Sequence, residues 1–327
     1  MFLMILKTCY TELTKGGIAM PRKLWLLSIV VFITIILFVG GCQTTAPLKI
    51  DLKKTISAGQ LKEMVKDSSN YYHVGFDWRL EPSEDVKMYI PLLNYVDRQT
   101  GYKFRLRVFP HDTDIAQEMV TGQIQFAIIG PLSLLRAEKY GVKSLVIGVT
   151  GNGTSNYRTM FVTQPKSPIK TIQDLRGRML ALGSRTSTQG YLIPRIMLAQ
   201  AKLSLSDLAS FESFQSYADA ANAVLGGAYD AAALPDTLAE KLASQGLVKI
   251  IAISDYYPSG GIAVSPGCNS AVVAAVQKAL LRFDPQGKDS KGLYKWDNSE
   301  MPKGFGPVIG DPYASYRPWV KEFGLIK

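Results

Sequence analysis

Histidine is nearly absent from this sequence: 327 residues contain only His73 and His111. With three cysteines in the whole chain, an imidazole metal centre and a zinc ribbon are both disfavoured. A hydrolase using a histidine base has only those two positions to draw on. No Gly-x-Ser-x-Gly elbow and no phosphate loop ending in Lys-Ser or Lys-Thr is present. Gly151-Asn152-Gly153 lacks the third glycine and the following helix of a dinucleotide fingerprint. No metal and no cofactor is expected, and the lack of an evident base–nucleophile set argues against catalysis. Basic residues outnumber acidic ones by 37 to 27, yet they are scattered rather than clustered. That excess suits an anionic ligand or a membrane surface and does not suggest nucleic acid. Apolar residues, in contrast, are plentiful at 47%, with 10% aromatics, so wholesale disorder is excluded and the length suggests about two domains.

Long hydrophobic runs are confined to the N-terminus. Residues 24–39 are apolar apart from Ser28 and Thr34, with Arg22 and Lys23 before them and Gly40-Gly41-Cys42 after. A basic start, an apolar run and small residues before a cysteine are the parts of a secretory signal, and the run is also near membrane-spanning length. Val39-Gly40-Gly41-Cys42 resembles a bacterial lipobox, which explains the cysteine and favours lipidation of Cys42 over a plain anchor. Met20-Pro21-Arg22-Lys23 makes Met20 an alternative start. Removing residues 1–42 takes four basic residues and one acidic residue, leaving 33 and 26. Only Cys268 then remains besides Cys42, so no internal disulfide is expected despite export. Residues 43–70 are polar and read as a tether.

From Tyr71 onward strands and helices alternate. Strands are expected at 71–76, 103–109, 124–129, 144–149, 178–182, 229–234 and 247–253. Helices are expected at 84–98, with Pro91 bringing a kink or a late start, and at 113–121, 132–140, 190–201, 216–225, 236–244 and 270–283. The unit helix, glycine, apolar strand, proline occurs at 113–131 and again at 216–235. The pattern predicts an α/β protein of two lobes, each a mostly parallel sheet flanked by helices. Two stretches, 151–161 and 254–264, would cross between the lobes. The boundaries are set at 71–152 plus 255–327 for the first lobe and 153–254 for the second. The tail from Asp284 is expected to pack over the surface.

Candidate ligand contacts lie at strand-to-helix junctions. Gly183-Ser184-Arg185-Thr186-Ser187-Thr188-Gln189-Gly190 opens a helix, where free main-chain N–H groups and hydroxyls can hold an oxyanion. Ser187 or Thr188 would also cap that helix. Gly130-Pro131-Leu132-Ser133 is the counterpart in the first lobe, and alone reads as an ordinary turn. Ser216-Tyr217 is a further helix start. Asp236, like Asp219, Asp230 and Glu212, is either an acidic contact or a solvated or capping group.

Several of these segments in order resemble the substrate-binding proteins of phosphonate, phosphate and phosphite ABC importers. They are Gly122-Gln123-Ile124-Gln125-Phe126-Ala127-Ile128-Ile129-Gly130-Pro131-Leu132-Ser133, Tyr157-Arg158-Thr159, Ser167-Pro168-Ile169 with Asp174-Leu175-Arg176-Gly177, and Ser187-Thr188-Gln189-Gly190-Tyr191. The resemblance spans about 71–283 and implies a two-lobed periplasmic binding protein that closes on its ligand. By the same analogy Ser187, Thr188 and the amides of Gln189 and Gly190 hold the oxyanion, Ser133 closes from the other lobe and Tyr157 lies at the hinge. Gln189 stands where the family loop has a second Ser, Leu134 where a Tyr is frequent, and Tyr217 where a His is frequent. The expected protein is a monomeric, lipid-anchored solute-binding lipoprotein outside the cytoplasm that delivers a small anionic solute to an ABC permease. A sensor feeding a membrane kinase shares the same fold, and an exported enzyme is the remaining class.

Overall fold

The computed structural model describes residues 71–80, 82–110 and 113–326. The expected signal, lipid-bearing Cys42 and tether lie outside these residues, as does His111. Among the described residues no helix is long and apolar enough to cross a membrane.

The first half of the chain runs β1 (Tyr71–Phe76), α1 (Pro82–Thr100), β2 (Lys103–Leu106), α2 (Ile115–Val120), β3 (Phe126–Ile129), α3 (Pro131–Ala137) and β4 (Lys143–Gly148). Then follow β5 (Asn156–Tyr157), β6 (Thr159–Thr163), β7 (Met179–Leu182), α4 (Ile193–Gln200), β8 (Ser210–Ser213), α5 (Tyr217–Leu225), β9 (Ala231–Pro235), α6 (Asp236–Ser244) and β10 (Lys249–Ile253). The chain returns through β11 (Tyr257–Pro258) to β12 (Gly261–Val264), α7 (Ser270–Leu280), β13 (Phe305–Gly306) and α8 (Arg317–Glu322).

Local chemistry sets several of these boundaries. Asp114 caps α2 by accepting the Ala116 N–H, Ser216 caps α5 through Asp219 N–H, and Asn269 caps α7 through Ala271 N–H. Helix α1 begins at Pro82, where a proline has no amide to waste, and continues through Pro91 to Thr100 without a break. Strands β3 and β9 are buried at every position, as expected of central strands covered on both faces.

Two sheets result, in the order β13-β4-β12-β3-β1-β2 and β10-β6-β9-β7-β8. Four strands of each run in one direction. The exceptions have a topological cause. Strand β6 enters the second sheet from the connection, so its first residue lies beside the end of β9 (Thr159 opposite Pro235) and it must run antiparallel. Strand β12 does the same beside β3, with Gly261 opposite Ile129, and the short edge strand β13 from the tail also runs antiparallel, beside β4. The two connections pair with each other as a short antiparallel ribbon, Tyr157 opposite Tyr257 and Asn156 opposite Pro258.

The tail does more than cover a surface. Trp296, Met301, Phe305, Tyr313, Tyr316 and Val320 are all buried. Tyr316 stacks on Tyr257 of the ribbon at 5.3 Å between ring centres and donates its hydroxyl to the Pro258 carbonyl at 2.7 Å. The glycines and prolines of this segment break any periodicity, which is why the sequence places it on the outside. Its aromatics nevertheless fill the space beside the connecting ribbon.

Candidate functional site

Parallel strands bring their carboxyl ends to one edge, and in both sheets that edge faces the same cleft. Asp77 and Arg79 follow β1, Gly130 and Ser133 follow β3, and Thr150 follows β4. From the other side, the Gly183–Gly190 loop follows β7, Tyr217 follows β8 and Asp236 follows β9. Open α/β sheets place ligands at this edge. A cavity of about 260 Å³ lies here, lined from the first sheet's side by Arg79, Thr150 and Glu300 and from the second by Gln189, Tyr217 and Asp236. Tyr157 of the ribbon forms its back.

The loop after β7 does not enter α4 directly. Residues Thr188–Leu192 form a π-helical turn, a wider coil that recurs at functional sites. Ser187 is its cap: the side-chain oxygen accepts the Gly190 N–H at 2.9 Å and also pairs with the Tyr217 hydroxyl at 2.8 Å. The turn closes back on the strand through Gly183 N–H to Gly190 O at 2.8 Å. Two glycines permit this approach. A Cβ on Gly190 would stand 2.8 Å from Gly183 Cα and 2.8 Å from a Tyr217 ring carbon. Tyr217 therefore lies over a bare backbone surface with its hydroxyl directed to Ser187.

Thr188 reaches across the cleft. Its Oγ1 accepts the Leu132 N–H at 3.0 Å, joining the second sheet's loop to the start of α3 in the first. Both partners are dry, Leu132 at 0% and Thr188 at 3% exposure. The hydroxyl of Ser133, assigned to the ligand by resemblance, instead donates to Asp77 Oδ1 at 3.1 Å, while Gly130 N–H donates to Asp77 Oδ2 at 3.0 Å. Burial raises the Asp77 carboxyl from its ordinary 3.8 to about 6, against the opposing pull of those two donors and of Arg79.

Gln189 is buried and serves structure through both ends. Its amide donates to the Arg158 carbonyl at 2.9 Å and its own main-chain carbonyl accepts the Thr159 hydroxyl at 2.9 Å. Asp236 lines the cavity while accepting the Arg158 and Thr237 N–H groups, and burial raises its pKa. Tyr157 is buried near Tyr316, and burial lifts both phenols well above the ordinary range. The other acidic candidates are turned to structural work: Asp219 in the Ser216 cap, Asp230 on the Met179 N–H, and Glu212 on the Tyr229 hydroxyl. His73 sits on β1, its main-chain N–H held by Gln125, and it does not line this cavity.

Four cavity charges, Arg79, Lys241, Asp297 and Glu300, are not marked by any sequence motif, and two of them pair. Arg79 Nη1 lies 2.5 Å from Glu300 Oε2, with the guanidinium side chain only 9% exposed. The dipeptide Trp78-Arg79 carries no motif, and Glu300 arrives from the tail more than two hundred residues later. No local signal pairs them; the contact exists only once the tail has packed against the first sheet.

Solved structures share this architecture. PhnD1 from Prochlorococcus marinus (MIT 9301), in complex with methylphosphonate, superposes with a TM-score of 0.67 at 17% identity, over 79% of this chain and 99% of that one. A binding protein component of an ABC phosphonate transporter from Pseudomonas aeruginosa gives 0.65 at 19% identity, over 76% and 84%. The fold is therefore that of the two-lobed periplasmic binding proteins. The phosphate-import protein PhnD of Mycolicibacterium smegmatis is 25% identical over 119 residues, which is 35% of this chain and 37% of that protein. The aligned stretch thus spans little more than a third of that relative. Residues 75–308 match the family described as ABC transporter, phosphonate, periplasmic substrate-binding protein, and the chain belongs to this family.

Proposed function

We propose that this protein is the solute-binding lipoprotein of an ABC importer, tethered through Cys42 outside the cytoplasm, and that it captures a small oxyanion of the phosphonate, phosphate or phosphite type without chemical turnover. The observation that carries the reading is a cavity whose walls come from two sheets connected through a narrow ribbon and bridged by the Thr188–Leu132 hydrogen bond. A ligand that touches both walls gives the closed form a differential affinity, which is the condition for binding to drive closure. In this reading residues 71–152 with 255–327 move against residues 153–254. Gln189, Tyr217, Tyr157 and Asp236 line the pocket, Ser187 and Gly190 seat Tyr217 behind it, Thr188 joins the halves, and Ser133 offers its hydroxyl from the first lobe beside Asp77. The closed, monomeric form then presents both lobes to permease subunits.

The test is isothermal titration of purified mature protein with methylphosphonate, inorganic phosphate and phosphite. Saturable heat with at least one is expected. No heat with any of them refutes the proposal. Mass spectrometry of the envelope-extracted protein is expected to show a diacylglycerol-modified Cys42 at the N-terminus, and an unmodified N-terminus refutes the anchor.

A further inference from the structure

In and behind the wall of the cleft lie buried polar atoms that lack a well-directed hydrogen bond. Arg79 Nη1, Glu300 Oε2, Asp85 Oδ1 and Tyr89 Oη are all buried without an aligned partner. Buried polar groups are otherwise satisfied almost everywhere in folded proteins, so a cluster of exceptions calls for an explanation. Arg79 and Glu300 are in contact at 2.5 Å, but as opposed charges rather than as a well-directed hydrogen bond.

The two partners are held very differently. The main chain at Arg79 is anchored, since Asp85 Oδ2 accepts both the Arg79 and the Leu80 main-chain N–H at 3.0 Å, and its guanidinium side chain is only 9% exposed. Of the two basic residues lining the cavity, Lys241 is exposed and Arg79 is buried. Glu300 is more open, at 17% exposure, and stands on an irregular stretch between the single turn Trp296–Asn298 and β13. Of the carboxylates around Arg79, Asp77 is occupied by Gly130 and Ser133 and Asp85 by the Arg79 and Leu80 main chain, while Asp236 and Asp297 line the cavity beside Glu300.

We propose that Arg79 is the charged partner of the captured oxyanion and that Glu300 is a resident counter-anion which the ligand displaces from it. The inference rests on reading this cleft as an oxyanion site. An anion entering beside Arg79 while Glu300 stayed would set two negative charges against each other in a dry pocket, with Asp77 adding a third. Glu300 is the group free to leave, because it is the more exposed of the two and its carboxylate regains water on swinging out. The planar fork of Arg79 suits a tetrahedral or planar oxyanion through two parallel N–H donors. The tail thus carries a competitor for the ligand, which lowers affinity and discriminates against neutral molecules of the same shape.

The experiment is titration with methylphosphonate and with inorganic phosphate. Glu300→Gln removes the competing charge and is expected to tighten binding by about tenfold, the scale of a relieved buried charge contact. Glu300→Asp shortens the reach to Arg79 and is expected to give a smaller gain, covering the case in which the glutamine variant does not fold. Arg79→Gln is expected to abolish binding and Arg79→Lys to weaken it. Unchanged or weaker binding in Glu300→Gln, or retained affinity in Arg79→Gln, overturns the inference. If wild-type protein binds neither probe, the oxyanion reading itself fails and takes the inference with it.

Discussion

Replacing Thr188 by valine isolates the hydrogen bond that links the two halves across the cleft. Valine keeps the branched shape and removes only the oxygen that accepts the Leu132 N–H. In the closed form Leu132 is fully buried and its amide has no water to turn to. A buried N–H deprived of its acceptor costs about 1–3 kcal/mol. If the lobes part as proposed, the same amide is hydrated in the open form, and the cost then falls on closure and not on folding. Ser187, not Thr188, caps the π turn, so helix stability is untouched by this change. If closure and binding are coupled, apparent affinity falls by about 5- to 150-fold at roughly 1.4 kcal/mol per decade. Chemical denaturation of the unliganded protein is expected to shift by less than about 1 kcal/mol. Titration with whichever oxyanion the wild type binds measures the first quantity, and hydrogen exchange over residues 129–135 reports the amide directly. Thr188→Ser, which retains the oxygen, is expected to bind nearly as the wild type. Wild-type affinity in Thr188→Val, or an equal loss in Thr188→Ser, would refute the reasoning.

Three further changes test the frame around that bond. Gly190→Ala forces a methyl against Gly183 Cα and the Tyr217 ring, both at 2.8 Å, and is expected to destabilise by about 1–3 kcal/mol in urea unfolding; unaltered stability would show that the two glycines are not in close contact. Asp77, with a folded pKa of about 6 against an ordinary 3.8, binds its proton more tightly when folded. Its contribution therefore favours folding at low pH and is lost as pH rises between about 4 and 6, by about 1–3 kcal/mol once its opening to the cleft is allowed for. Asp77→Asn is expected to reduce that slope by Asp77's share, leaving what Asp85 and Asp236 contribute, and an unchanged slope sinks the assignment. Tyr316→Phe deletes the bond to the Pro258 carbonyl and leaves that carbonyl without its donor, with an expected loss of about 1–3 kcal/mol in denaturation and no loss if the ribbon is held otherwise.

The legible parts of this molecule are those governed by neighbours in sequence. Strands β1, β3 and β9 show as apolar runs of about the right length, and the caps at Asp114 and Ser216 announce their helices because a short polar side chain can satisfy an end amide within three residues. The loop Ser187–Gly190 is visible for the same reason. Strands β6 and β12 hide inside stretches that read as crossings, since each is short and buried, and its strand character comes from neighbours far along the chain. The π turn at Thr188–Leu192 reads as ordinary helix because periodicity cannot separate the two over one turn. Gln189 illustrates the limit on roles: its position is legible, but its bonds to Arg158 and Thr159 depend on where β6 lies.

The charges of the cleft are the extreme case of that dependence, and they bear on how the site works. A motif records what a loop does for itself; Ser187 holding Gly190 is of this kind. The pairing of Arg79 with Glu300 joins the end of β1 to the tail, and nothing near either residue requires it. The tail that supplies Glu300 also supplies Tyr316, which stacks on Tyr257 and donates to the Pro258 carbonyl of the connecting ribbon. One segment thus contributes both a charge of the pocket and the packing of the ribbon behind it, and neither contact can be read from residues adjacent in sequence.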